Sequence, residues 1–249
     1  MKINQIKKAI TILFLCAVGA VAQENSTEVN AFTKVIISPH IQVTFVQGTT
    51  ESVTVENSTV TADKINIEVS GKTLRVYLDG AKKVTKNEKT YNKGYKQKES
   101  LYKGTVVKAM ITYKNIEELS LRGSETIVCK SPFVQSKLRL KIYGESQVYL
   151  NEVQLQELHT TVYGESLLEV KSGSIESQKI TAYGETKINT LGVQNNNTKI
   201  TAYGEGSYRV MVAKRLKVTA YGEATVAYTG DPELSKGLVI GETIIQKIQ

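Results

Sequence analysis

The sequence predicts an all-β protein whose main part is a right-handed parallel β-helix, a solenoid of ~20-residue coils. Three observations predict it. The triplet Tyr-Gly-Glu occurs at 143–145, 163–165, 183–185, 203–205 and 221–223, at spacings of 20, 20, 20 and 18 residues, and a fixed period of that length marks a repeat architecture. Around each triplet apolar and polar residues alternate, the period of a strand with one buried face. The composition also suits strands, with no Trp, 3 Pro and 13 Tyr in 249 residues and abundant Val, Ile and Thr.

The elements follow in order. Residues 1–22 combine a basic start (Lys2, Lys7, Lys8), an apolar run from Ala9 to Val21 and a small-residue cleavage site at Ala20-Val21-Ala22, which together predict a secretory signal peptide. The mature chain is then expected to begin at Gln23, exported to the periplasm, the outer surface or the medium. A lipoprotein reading would acylate Cys16, but Leu15 is bulky where such sites take a small residue. No later segment has the ~18 consecutive apolar residues of a membrane helix. Cleavage leaves Cys129 as the sole cysteine, which excludes an intramolecular disulfide.

Residues 23–117 form the next region. Strands are expected at 35–37, 41–45, 53–55, 65–69 and 74–78, with the turn "VSGK" before the last. They lack the 20-residue period and point to a packed N-terminal subdomain. A Lys-rich insertion, 82–103, holds eight lysines and two glutamates, +6 of a formal net charge of +8. Basic character thus belongs to one segment, read as a solvated loop or a handle for anionic glycans, lipopolysaccharide or nucleic acid. Its Tyr91, Tyr95 and Tyr102 could stack on a partner, but their spacing matches no nucleic-acid motif.

Residues 118–249 carry the coils. Five residues after each triplet tyrosine stand Val148, Leu168, Ile188, Tyr208 and Val226, and seven after it Leu150, Val170, Thr190, Val210 and Tyr228. Separate hairpins would need turn pairs such as Asn-Gly, which are missing. A parallel coil needs only small corner residues, and Gly144, Gly164, Gly184, Gly204 and Gly222 supply them at an expected positive φ. Gly123 and Gly241 mark atypical terminal copies. Each coil is expected to hold two clear strands and a weaker third around Val153/Leu155 and Ile175.

The chain resembles the GIN-domain family of secreted bacterial proteins, described as autotransporter adhesin heads. The features that carry the resemblance are the leader, "FTKVIISPHIQVTFVQG" followed by "INIEVSGKTLRVYLDG", the serial "YGES/YGET" coils, and "YTGDPEL" before "VIGETIIQKI". It covers nearly all of the mature chain. The resemblance implies a β-helical fold and an adhesive or surface role without an established activity. One departure matters: the chain lacks a C-terminal series of amphipathic membrane strands, so it is not expected to transport itself.

The candidate site is the stripe that in-register stacking would build. Period-two counting turns Tyr143, Tyr163, Tyr183, Tyr203 and Tyr221 outward, beside threonines 161, 181, 201 and 219, with Glu145, Glu165, Glu185, Glu205 and Glu223 around the corner. Neighbouring carboxylates would repel by roughly 1 kcal/mol or less in water. Three readings stay open: a structural ladder of stacked rings with solvated or amide-bonded acids, a Ca²⁺-binding carboxylate column, and an elongated face for a carbohydrate or cell-surface polymer.

Enzyme chemistry is disfavoured. Some β-helices cleave polysaccharides, and a retaining glycosidase needs two carboxyls ~5 Å apart. It also needs them in different environments, whereas a uniform ladder gives each glutamate the same one. His40 and His159 are the two histidines, with His159 on an outward position. Cys129 alternates with Ile127 as a buried residue would. No phosphate loop, metal cluster or nucleophile elbow occurs, so neither a cofactor, a metal nor a nucleic-acid partner is expected.

Overall fold

A computed structural model describes residues 25–92 and 95–249. The leader expected over residues 1–22 lies outside the described residues, as do residues 93–94 of the basic insertion. In chain order the strands are β1 (Asn25–Glu28), β2 (Lys34–Ile37), β3 (Ile41–Gln47), β4 (Ser52–Ser58), β5 (Ile65–Ser70), β6 (Thr73–Leu78), β7 (Asn87–Asn92), β8 (Tyr95–Ser100), β9 (Val107–Tyr113), β10 (Glu118–Gly123), β11 (Thr126–Cys129), β12 (Phe133–Gly144), β13 (Gln147–Tyr163), β14 (Leu167–Tyr183), β15 (Thr186–Tyr203), β16 (Gly206–Tyr221), β17 (Ala224–Thr229), β18 (Glu233–Ile240) and β19 (Thr243–Lys247). A 3-10 turn at Ala62–Lys64 is the one helical element described. The fold is all-β, as expected. Among the described residues no helix is long and apolar enough to cross a membrane.

From β12 onwards the strands pair in parallel, each with its equivalent one coil later: Ile142 faces Val162, Val162 faces Ala182, and Tyr163 faces Tyr183. The expected two strands and a weaker third are one long strand per coil. In β13 alternation lapses at Asn151–Glu152 and at Gln156–Glu157, where two residues in a row stay out of the core. The strand bends there without losing its ladder. Three flats result, 147–150, 153–155 and 157–163, with Val148, Leu150, Val153, Leu155, Leu158 and Val162 turned inward. In the coils of β13 to β16 only the Tyr-Gly-Glu corner breaks the strand, whereas in the last copy a second break at 230–232 separates β17 from β18.

That corner is built by backbone geometry. The five triplet glycines have φ between 102° and 128°, a region that L side chains resist. At Gly184 a Cβ would also stand 2.9 Å from the Gly164 carbonyl oxygen. The Gly184 amide donates to the Tyr203 carbonyl at 2.9 Å, so the corner is stitched to the next coil. Ser146 and Ser166 donate through Oγ to the Gly123 and Gly144 carbonyls, both at 2.9 Å, which explains the serine of "YGES". The sequence pattern missed a further corner at Gly173, φ 120°, because its glycine does not recur.

The first strands stack on the coils in an order the chain does not follow. β2 and β3 pair in parallel with β10 and β11 on one side, and with β6 and β9 on the other. The outer edges of β6 and β9 are covered by antiparallel β5 and β4, which protects them from pairing with another chain. All five strands expected before residue 80 are present. The insertion forms a separate hairpin, β7–β8. Tyr102 at its base is no stacking surface: it is buried, and its hydroxyl donates to the Asp79 carbonyl at 2.9 Å.

The interior is mostly apolar, and among its buried polar side chains is Gln178. Leu158, Gln178, Thr198 and Leu216 share an inward column. Gln178 accepts from Thr190 at 3.4 Å, while its Nε2 has no protein partner. A buried amide left short of a bond costs about 1–3 kcal/mol. Gln178→Leu combined with Thr190→Val, which removes the orphaned amide together with the hydroxyl that donates to it, should therefore raise stability by about 1 kcal/mol in chemical denaturation; a loss would refute this account. At the corner, Gly184→Val should cost ~3 kcal/mol or more and Glu185→Ala less than ~0.5 kcal/mol. Thermal melts of the two variants check the difference, and equal losses would contradict the corner's role.

Candidate functional site

The register brings together the tyrosines that the sequence singled out. Rings of Tyr143, Tyr163, Tyr183, Tyr203 and Tyr221 stand in one column with successive centroids 5.2, 4.8, 4.8 and 4.9 Å apart and planes within 7° of parallel. These separations fall in the range of stacked aromatic pairs, each worth about 0.5–1.5 kcal/mol beyond its buried area. The Arg122 guanidinium sits 4.4 Å from the Tyr143 ring centroid and covers the free end of the stack. Ile240 takes the next position after Tyr221.

Stacking decides what a ligand can reach. Tyr163, Tyr183 and Tyr203 are 42, 38 and 37% exposed, but both faces of each ring are occupied by its neighbours. What remains is a row of ring edges and hydroxyls. A sugar cannot lie flat on an inner ring of this column and must meet it through hydrogen bonds.

Glu145, Glu165, Glu185, Glu205 and Glu223 are exposed around the corner, and none has a side-chain hydrogen bond or ion pair among the described residues. Glu242 continues the column beyond Glu223, since Thr243 pairs with Ala224; Gly241 was its signal in the sequence. At the other end the copy is offset. Thr126 pairs with Gln147, so Ser124 occupies the glutamate position and Glu125 the inward one. Glu125 is 4% exposed, accepts from the Ser124 amide at 3.0 Å and lies 3.9 Å from His40 Nδ1. A shallow groove of ≈ 540 Å³ runs along the column, lined by Glu145, Glu165, Glu185 and Glu205 together with Gln147, Leu167, Lys187 and Ser207. Among the described residues no three His, Cys, Asp or Glu side chains converge as a metal-binding group.

The remaining titratable candidates have structural roles. His40 joins the insertion to the coils: its Nδ1 is 2.7 Å from the Gly104 carbonyl and its Nε2 2.6 Å from Thr85 Oγ1. His159 lies 3.4 Å from Glu157, which pairs with Lys137 at 2.5 Å. Partial burial, then Lys137, holds His159 below the ordinary histidine range, with Glu157 pulling upward and Lys179 and Arg139 adding to the depression. Hydrogen bonding from Lys137 lowers Glu157. Cys129 is fully buried opposite Leu150 and Phe45, and burial raises its thiol pKa far above the reactive range.

Comparison with known proteins agrees with this architecture. The chain superposes on the crystal structure of a "putative adhesin" from Bacteroides fragilis NCTC 9343 with a TM-score of 0.75 at 17% identity, covering 90% of this chain and 95% of that one. A "putative adhesin" from Parabacteroides merdae ATCC 43184 gives 0.60 at 20% identity, covering 90% and 95%. A "putative lipid binding protein" from Parabacteroides distasonis ATCC 8503 gives 0.65 at 20% identity, covering 91% and 96%. A search of curated proteins returns no match. Residues 31–232 match the family described as "Putative auto-transporter adhesin, head GIN domain", and the chain belongs to this family.

Proposed function

We propose that this GIN-domain protein is an exported, non-enzymatic adhesive module of the cell envelope or surface, which holds an extended carbohydrate or cell-surface polymer along its solenoid. The observation that carries the reading is the in-register tyrosine column, with hydroxyl edges exposed at one repeat per coil. A polymer lying parallel to the axis meets the same groups at every step, so many weak contacts add along one molecule. The groove beside the glutamates adds acceptors for sugar hydroxyls. The family description supports the adhesive role. Against catalysis stands the sameness of the five exposed glutamates, which separates no acid from a base.

A glycan-array and cell-surface binding screen of residues 23–249, run beside cleavage assays on acidic and neutral polysaccharides, tests the reading. Saturable binding without turnover is expected. Cleavage would turn the assignment to a lyase or glycoside hydrolase, and binding to nothing would leave a structural envelope protein. Calcium supplies a second check. Solvated glutamates that bind no ion gain only screening, so calcium should shift the melting temperature no more than sodium at matched ionic strength. A calcium-specific rise that is lost in Glu185→Gln would make the column a metal site, because a ligand of the folded state alone stabilises it by mass action.

A further inference from the structure

The repeated "KITAYGE" contributes more than its last three residues. Its lysine, four positions before the tyrosine, also forms a column: Arg139, His159, Lys179, Lys199 and Lys217 pair one with the next. Among the described residues Arg139, Lys179, Lys199 and Lys217 enter no ion pair, and all four are exposed. The neighbouring outward column is balanced instead, with Lys137 on Glu157 at 2.5 Å and Arg215 near Glu233 at 3.8 Å. Between cations and tyrosines lies a column of short side chains, Thr161, Thr181, Thr201 and Thr219. Lys141 heads it, tied to Glu118 at 2.7 Å.

One flat thus presents a threonine floor between a cationic wall and a tyrosine-hydroxyl wall, ~13 Å apart at four strand residues. Like charges directly opposite on adjacent strands destabilise a sheet, by roughly 1 kcal/mol per neighbouring pair in water. A bound polyanion would relieve that repulsion. The charges repeat once per coil, every 4.8 Å by the spacing of the adjacent tyrosine rings. Duplex DNA, with a phosphate every ~3.4 Å per strand, is out of step with them. A linear polysaccharide with one carboxylate per sugar repeats at close to one coil. The glutamate column around the corner repels such a chain from the next flat and confines it to the threonine floor.

We propose that the trough formed by Arg139, Lys179, Lys199 and Lys217, the threonine column and the tyrosine hydroxyls binds an extended acidic polysaccharide, one uronate per coil. The proposal deepens the carbohydrate-binding reading and rests on it. Carboxylates lie on the cations, sugar hydroxyls reach the threonines and tyrosine hydroxyls, and His159 places a hydrogen-bonding imidazole between Arg139 and Lys179.

Binding of polygalacturonate and of its fully methyl-esterified form to residues 23–249 tests it, because esterification removes the charge and keeps the backbone. The acid form should bind at least about tenfold more tightly at low salt, with the preference falling as salt rises. Lys179→Gln/Lys199→Gln should abolish most of that preference without lowering the melting temperature, since it removes like-charge neighbours. Lys96→Gln/Lys98→Gln, on the hairpin, should retain it. Equal binding of both forms, or equal loss in the hairpin variant, overturns the trough while leaving carbohydrate binding in place. Binding to phosphatidylglycerol vesicles with no polysaccharide bound overturns both readings and assigns the cations to a lipid surface.

Discussion

Parallel hydrogen bonding in register is the constraint on which everything else in this molecule depends. Each coil satisfies its backbone on the coils before and after it, as when the Gly184 amide donates to the Tyr203 carbonyl, so neighbouring copies cannot slide without losing a whole ladder. A residue type repeated in the chain therefore becomes a column in space. Inward columns make a core of Val, Leu and Ile. Outward columns make stripes of tyrosine, threonine, lysine and glutamate, and the surface chemistry of the protein is a direct copy of its repeat.

The constraint also decides which stripes stabilise the fold and which oppose it. The ladder spacing matches the distance at which parallel aromatic rings attract, so the tyrosine column adds stability at each step. The same spacing places lysine beside lysine and glutamate beside glutamate. Those columns are tolerated because their side chains reach water, where the repulsion is small. Stabilising and opposing columns lie side by side on one flat and around one corner.

A solenoid has two open ends, and this one closes its N-terminal end with strands that break the rule. β4 and β5 run antiparallel to the rungs they cover and leave no parallel edge free there. The hairpin β7–β8 is held at the same end through His40 and the buried Tyr102. At the far end β18 and β19 carry Leu238, Ile240 and Ile244, which are more than half exposed.

The sequence by itself determined the period, the inward and outward faces and the glycine corner. Each of these is local: a 20-residue repeat, an alternation of two and a residue free to take positive φ are visible within one copy. The tyrosine and glutamate columns followed, because the recurring triplet aligns each copy with the next. Tertiary structure alone decided what depends on pairing between distant segments. No local signal places β2 and β3 between β6/β9 and β10/β11, since that order comes from which edges remain open once the chain has turned back. The one-residue offset that buries Glu125 and the addition of Glu242 to the acidic column arise where the terminal copies depart from the repeat. The use of ring faces was equally hidden: a tyrosine that points outward offers its face or only its edge according to what stands 4.8 Å away on the next coil, and that distance belongs to the ladder.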